Sequence, residues 1–206
     1  MKSKGKETRI YHITDIENLP QILKVGGLLS DAKMVQTSGH AVIGYDHIKK
    51  RRLEQIKIAH SGRYVGEYVP FYFCPRSPML YTINEGNTGR KQGCQKTVLH
   101  LVSTIKHGMK QTNDWVISDG NAGTFYTSFY HDLSALDDLD WSAIREKYWQ
   151  AVRDKKSAEF LVADFFAWQH VIGIGCFNED VANQVRAILT ASEHQPVVKA
   201  IPSWYY

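Results

Sequence analysis

Short runs of β-branched and aromatic residues recur from one end of this 206-residue chain to the other. They are RIYHIT (residues 9–14), YVPFYF (68–73), TVLHLV (97–102), Trp115–Ser118, Phe160–Ala163, Val171–Phe177 and a last run in VKAIPSWYY. Each reads as a strand. A lone strand leaves its backbone donors and acceptors unpaired. Runs this scattered must therefore be gathered into a sheet that draws on the whole length. Helical spacing appears between them irregularly: Ile16, Leu19, Ile22 and Leu23 ahead of a Gly26-Gly27 stop, then Trp141–Arg153, then Glu179–Leu189 with Val181, Val185 and Ile188 on one face. Asp15 is placed to cap the first helix. No repeat, linker or regular strand–helix alternation breaks the chain, so the expectation is one α+β domain over residues 1–206. Pro70 predicts that its strand lies at an edge or a bulge. Residues 29–44 read as a long loop, residues 47–58 as a partly helical basic segment, and Asp119–Gly123 as a turn.

A composition of 43% hydrophobic and 22% charged residues supports a buried core. No window approaches the roughly 18 apolar residues of a membrane span. The N-terminal MKSKGKETRIYHI is basic but lacks the apolar stretch of a signal peptide. Cys74, Cys94 and Cys176 are odd in number and have no metal-like spacing. Together these features predict a soluble cytoplasmic protein with no membrane partner and no metal. The net charge of +4 is mild, and its distribution is more telling. Lys49, Lys50, Arg51 and Arg52 form a basic run, with Lys57 and Arg63 following, whereas acids gather in residues 132–140. Such a run is by default a solvated face, and its other use is to meet a polyanion.

There is no phosphate loop, GxGxxG, HExxH or paired CxxC. What remains is a looser constellation of His12 in the first strand, an arginine of the basic run, and Glu159 ahead of FLVA. A histidine inside a strand is more often structural, and a carboxylate at a strand end is more often solvated. Neither would carry a function alone. Asp119–Gly123 precedes Thr124, Phe125 and Tyr126. Glycine there allows close backbone approach, and the aromatic rings are suited to stacking on bases.

Longer strings say more. YHIT, NLPQIL, GGLLSD, GYDHIKKRRL, YVPFYFCPRSPMLY, SDGNAG, LDWSAIREKYW, AEFLV and PSWYY follow one another along nearly the whole chain. In these it resembles the DarT family, DNA ADP-ribosyltransferase toxins paired with a macrodomain antitoxin. The resemblance implies an ADP-ribosyltransferase fold: a split, mostly antiparallel sheet core with flanking helices and an NAD cleft. It implies NAD as co-substrate, single-stranded DNA as acceptor and a macrodomain antitoxin as partner. By the same resemblance Glu159 is the catalytic glutamate, and Arg51, with Arg52 adjacent in the same run, is the functional arginine that also meets the cofactor. His12, Ile13 and Thr14 hold the nicotinamide side of NAD, Gln21 and Leu29 approach it around the first helix, and residues 34–53 cover it. Tyr72 helps to frame the nicotinamide, and residues 119–158 recognise the acceptor. Thymine is the favoured base. The alternatives are guanine in DNA, an RNA or protein acceptor, or a non-catalytic nucleic-acid-binding module.

Overall fold

The computed structural model describes residues 5–35 and 46–206. Its strands are β1 (Arg9–Asp15), β2 (Gly27–Leu29), β3 (Tyr68–Tyr72), β4 (Val98–Thr104), β5 (Trp115–Asn121), β6 (Phe129–Tyr130), β7 (Ala158–Ala163), β8 (Phe165–Ala167), β9 (Gly173–Cys176) and β10 (Val197–Ala200). The helices are α1 (Leu19–Val25), α2 (Asp31–Met34), α3 (Asp46–Glu54), α4 (Pro78–Asn84), α5 (Ile105–Gln111), α6 (Ala135–Asp138), α7 (Trp141–Arg145), α8 (Arg153–Lys156) and α9 (Glu179–Leu189). Eight strands form one sheet in the order β10-β9-β4-β1-β3-β7-β5-β6, antiparallel throughout except for the β9–β10 pair. The strands β2 and β8 make a small second sheet. This is the expected α+β fold.

The sheet is split at its centre. β1 pairs with β4 over seven residues, from Arg9↔Thr104 to Asp15↔Val98, but meets β3 at one position, Tyr11↔Tyr72. Pro70 explains the gap. Alternate strand residues turn their N–H and C=O to the same neighbour, so Pro70, two residues before Tyr72, also faces β1. Having no N–H, it cannot build the next rung. Its carbonyl is taken instead by the His12 ring, with Nδ1 at 2.9 Å. The expectation that Pro70 marks an edge or a bulge is therefore corrected: β3 lies mid-sheet, its register with β7 runs unbroken through Pro70, and the proline marks an internal opening.

Most of the core packs on the strands around this opening, with Ile10, Phe71, Leu99, Leu101, Phe160 and Val162 buried in one continuous cluster. On the β7 side α5 comes in closely, because Gly108 has no side chain to collide with Phe160. The first helix starts and stops as the sequence predicts. The Asp15 carboxylate accepts the Glu17 N–H at 3.0 Å in a short 3-10 turn (Ile16–Asn18) that leads into α1, and Gly26 ends α1 at φ 79°. Three expectations change. Residues 31–34 of the expected loop are α2, capped by Ser30, while the remainder of that loop from residue 36 lies outside the described residues. The helix expected over Trp141–Arg153 is broken, because Glu146 leaves α7 with ψ 133°. Asp119–Gly120, read as a turn, continues β5 through an irregularity between Ile117 and Asn121.

Candidate active site

β7 places Glu159 opposite Tyr72 of β3, next to the split. The Glu159 side chain is 1% exposed and is gripped from two directions. Arg52 of α3 donates three hydrogen bonds of 3.0–3.1 Å, Nη1 to both carboxylate oxygens and Nη2 to Oε2. The Ala122 N–H donates to Oε1 at 3.2 Å. That amide is aimed by the irregular end of β5. The Asn121 carbonyl there is held by the Thr124 and Thr127 hydroxyls, and the Asn121 side chain accepts the Gly123 N–H. Behind the carboxylate, the Glu159 N–H is bonded to the Ser118 hydroxyl at 2.9 Å. Burial raises the Glu159 carboxyl above the ordinary glutamate range, against the pull of Arg52 and the Ala122 amide. Burial also works against the Arg52 charge, but the facing carboxylate prevails and holds the guanidinium firmly cationic.

In front of this pair lies a cleft with about 910 Å³ of empty space, counting its open mouth. His12, Ile13 and Thr14 of β1, Leu29, Pro70, Tyr72 and Arg52 line it. A side chamber of about 460 Å³ shares His12, Thr14 and Leu29 and adds Gln21 of α1. The Pro70 carbonyl can only accept, so His12 Nδ1 carries a proton and Nε2 is its free acceptor. Burial lowers the His12 pKa, which keeps that ring neutral. Burial likewise raises the Tyr72 phenol, aided by the nearby Glu159, so it stays protonated and able to donate. At the cleft wall Lys49 of α3 bridges to Asp31 of α2 at 3.3 Å. A long ligand with hydroxyls, flat rings and negative charge fits this lining: it meets a neutral imidazole acceptor, a phenol donor, aliphatic walls and a fixed cation.

The structure thus brings His12, Ile13, Thr14 and Leu29 to one cleft and Gln21 to its side chamber, with Glu159 bonded to Arg52 behind them. It separates the two arginines. Successive helix residues point about 100° apart, so only one of an adjacent pair can face inward. Arg52 does so; Arg51 lines neither chamber and donates to the Gly123 carbonyl at 3.3 Å. Within the basic run it is thus Arg52, the neighbour of the expected Arg51, that lines the cleft. Ala122 went unread, because it acts through its backbone, which no side-chain pattern reveals. Lys49 was read only as one member of the basic run, and Asp31 was given no role of its own. Around the Gly123 segment, Phe125 is 66% and Tyr126 95% exposed, a costly display of aromatic surface unless something flat covers it.

A family model described as "ssDNA thymidine ADP-ribosyltransferase, DarT" matches residues 11–206. The chain is 42% identical over 201 residues to the DNA ADP-ribosyl transferase of Thermus aquaticus, covering 97% of this chain and 89% of that protein. Thermus sp. 2.9 DarT in complex with ADP-ribosylated ssDNA superposes with a TM-score of 0.90 at 38% identity, covering 100% of this chain and 99% of the other. The same protein in complex with NAD+ superposes with a TM-score of 0.85 at 36% identity, over 99% and 100% of the two chains. A DNA ADP-ribosyl transferase-DNA ADP-ribosyl glycohydrolase fusion protein of Thermosipho africanus is 27% identical over 195 residues, covering 92% of this chain and 47% of the fusion.

Proposed function

Because the chain belongs to the DarT family, we propose that it transfers ADP-ribose from NAD to a thymine base of single-stranded DNA, releasing nicotinamide. The observation that carries this reading is the buried Glu159 carboxylate, fixed by Arg52 and the Ala122 amide beside a cleft suited to a dinucleotide. NAD is the co-substrate, and no group of residues that could hold a metal occurs among the described residues.

Breaking the nicotinamide–ribose bond builds positive charge at the anomeric carbon, the electronic problem that glycosidases also face. Glu159 is the group that stabilises it, through a ribose hydroxyl, from a position that needs no reorganisation. Arg52 orients Glu159 and favours its ionised form, in part offsetting burial. His12 accepts from a hydroxyl through Nε2, while Ile13, Thr14, Gln21 and Leu29 shape the remainder of the cofactor site. Arg51, tied to Gly123, stands on the acceptor side, where a guanidinium can orient a base but stays protonated, since its pKa exceeds about 12. Burial inside a duplex would hide the thymine edge, which is why a single strand is the fitting form of substrate.

Phe125 and Tyr126 stack on bases in this reading. Replacing both by Ala is expected to raise KM for DNA by an amount equivalent to about 1–3 kcal/mol for each base left unstacked, with KM for NAD unchanged. Parallel KM measurements check it, and equal rises for both substrates would place these rings elsewhere in the mechanism.

A glycohydrolase that removes the adduct is the partner, as the joining of the two activities in one Thermosipho chain supports. We take residues 1–206 as one catalytic domain, since the first and last strands share one sheet. We place the protein in the cytoplasm, consistent with three free cysteines and with the absence, among the described residues, of any helix long and apolar enough to cross a membrane. The direct test is product mass after incubation with NAD and oligonucleotides each enriched in one base. One ADP-ribose is expected on the thymine-rich single strand; an adduct confined to the guanine-rich strand, to RNA or to protein would overturn the acceptor.

A further inference from the structure

Beyond Tyr72 and Glu159, where β3 and β7 leave the sheet at the same end, a second cavity opens that shares no lining residue with the cleft. It holds about 870 Å³ of empty space and is rich in cations: Arg76, Arg145, Lys147 and Lys156 line it, against the single acid Glu146. That acid is already engaged, its carboxylate accepting the Lys147 and Tyr148 N–H groups at 2.7 and 3.0 Å. Lys156 is 2% exposed and donates to the Ile144 carbonyl at 2.8 Å, and among the described residues no carboxylate pairs with it. Arg76 stacks on the Tyr206 ring at 4.4 Å from its centroid, and its buried Nε has no partner. Buried cations are costly unless an anion offsets them. Among the described residues no acidic side chain pairs with Lys156 or Arg76. Trp149, 4% exposed, and Tyr206 supply flat walls beside the charge. Phosphate next to a planar base is the chemistry that matches both halves of such a pocket.

We propose that this cavity receives a nucleotide of the DNA strand flanking the acceptor thymidine, its phosphate against Lys156 and Arg76 and its base against the aromatic wall. The inference rests on the single-stranded DNA reading above. The distances suit it: Lys156 is three residues before Glu159, a separation of at most about 11 Å.

The test is transfer from NAD to single-thymidine oligonucleotides in which one flanking phosphate at a time is replaced by a neutral methylphosphonate. One position is expected to raise KM for DNA about ten-fold, the effect of removing a charge-assisted hydrogen bond, with KM for NAD unchanged. That sensitivity should disappear in Lys156→Met. Because Lys156 is buried, a second variant at the exposed rim, Arg145→Glu with Lys147→Glu, tests the same point without touching the core. It should raise KM for DNA and flatten its salt dependence, by about 0.7 in log–log slope for each phosphate no longer neutralised. A flat methylphosphonate profile on an oligonucleotide that is still modified would overturn the inference alone. Binding of AMP to the NAD-saturated protein, lost in Lys156→Met and accompanied by a flat profile, would also overturn it and give the cavity to a free nucleotide. No adduct on the unmodified oligonucleotide would instead remove the DNA reading and this inference together.

Discussion

Glu159→Gln is expected to lower kcat for ADP-ribose transfer by roughly 10²–10³-fold, the usual cost of deleting a preorganised group aimed at developing charge. The amide keeps the shape of the carboxylate and can still accept from the Ala122 N–H, so NAD should bind with little change in Kd. A loss confined to Kd would show that Glu159 grips the cofactor and does not act on its cleavage. The wild-type pH profile offers a second check. Transfer needs the carboxylate ionised, so activity falls as pH drops through its pKa. Burial raises that pKa. The acid limb of kcat/KM for the free enzyme is therefore expected above the ordinary glutamate value of about 4.3. An acid limb at or below that value would mean that Arg52 and the Ala122 amide outweigh burial.

Arg52→Ala should be the most destabilising single change at the site, at about 3–5 kcal/mol, because it strands a carboxylate that is 1% exposed. Its neighbour Arg51 is bonded only at the edge of the site, by a part-buried hydrogen bond to the Gly123 carbonyl, and Arg51→Ala should cost about 1 kcal/mol, the net worth of such a bond. Urea midpoints of the two variants measure this directly. Equal midpoints would contradict the Arg52–Glu159 pairing. Arg52→Lys would not rescue the pair, since an ammonium cannot reproduce the fork that contacts both oxygens. For Arg51 the informative readout is transfer by the folded variant: a fall there would confirm the acceptor-side role.

The contrast between the two arginines shows what a sequence of this kind reveals. The longer strands, the Asp15 cap, the Gly26 stop and all eleven residues of α9 follow from alternation, helical spacing and local chemistry, whereas the short strands β2, β6 and β8 carry no such signal. Those are short-range signals, and they survive folding. The α3 register does not follow, because Lys49, Lys50, Arg51 and Arg52 look alike as a run and the helix has no clear apolar stripe to orient it. Only Glu159, 107 residues away, distinguishes them. Pro70 misled for the same reason, since a missing N–H reads as an edge until the partner strand is known. The start of α4 carries the same kind of short-range signal: Ser77 caps it through the Leu80 N–H, and Pro78 takes its first position. The Ala122 amide had no sequence signal at all. The family strings located the site, and the folded geometry distributed its tasks.

The single rung between β1 and β3 has a consequence outside catalysis. A ligand lying in that opening ties together two halves of the sheet that the backbone scarcely joins, so occupancy becomes part of what keeps the fold shut. Stabilisation of this kind grows with ligand concentration, by about 2.7 kcal/mol at a hundred times Kd. Proteases in the cell take the opened form. The lifetime of the protein should then follow the dinucleotide supply of its host. A cell depleted of NAD would clear this enzyme faster, and the same reaction that draws on the pool would shorten the persistence of the catalyst.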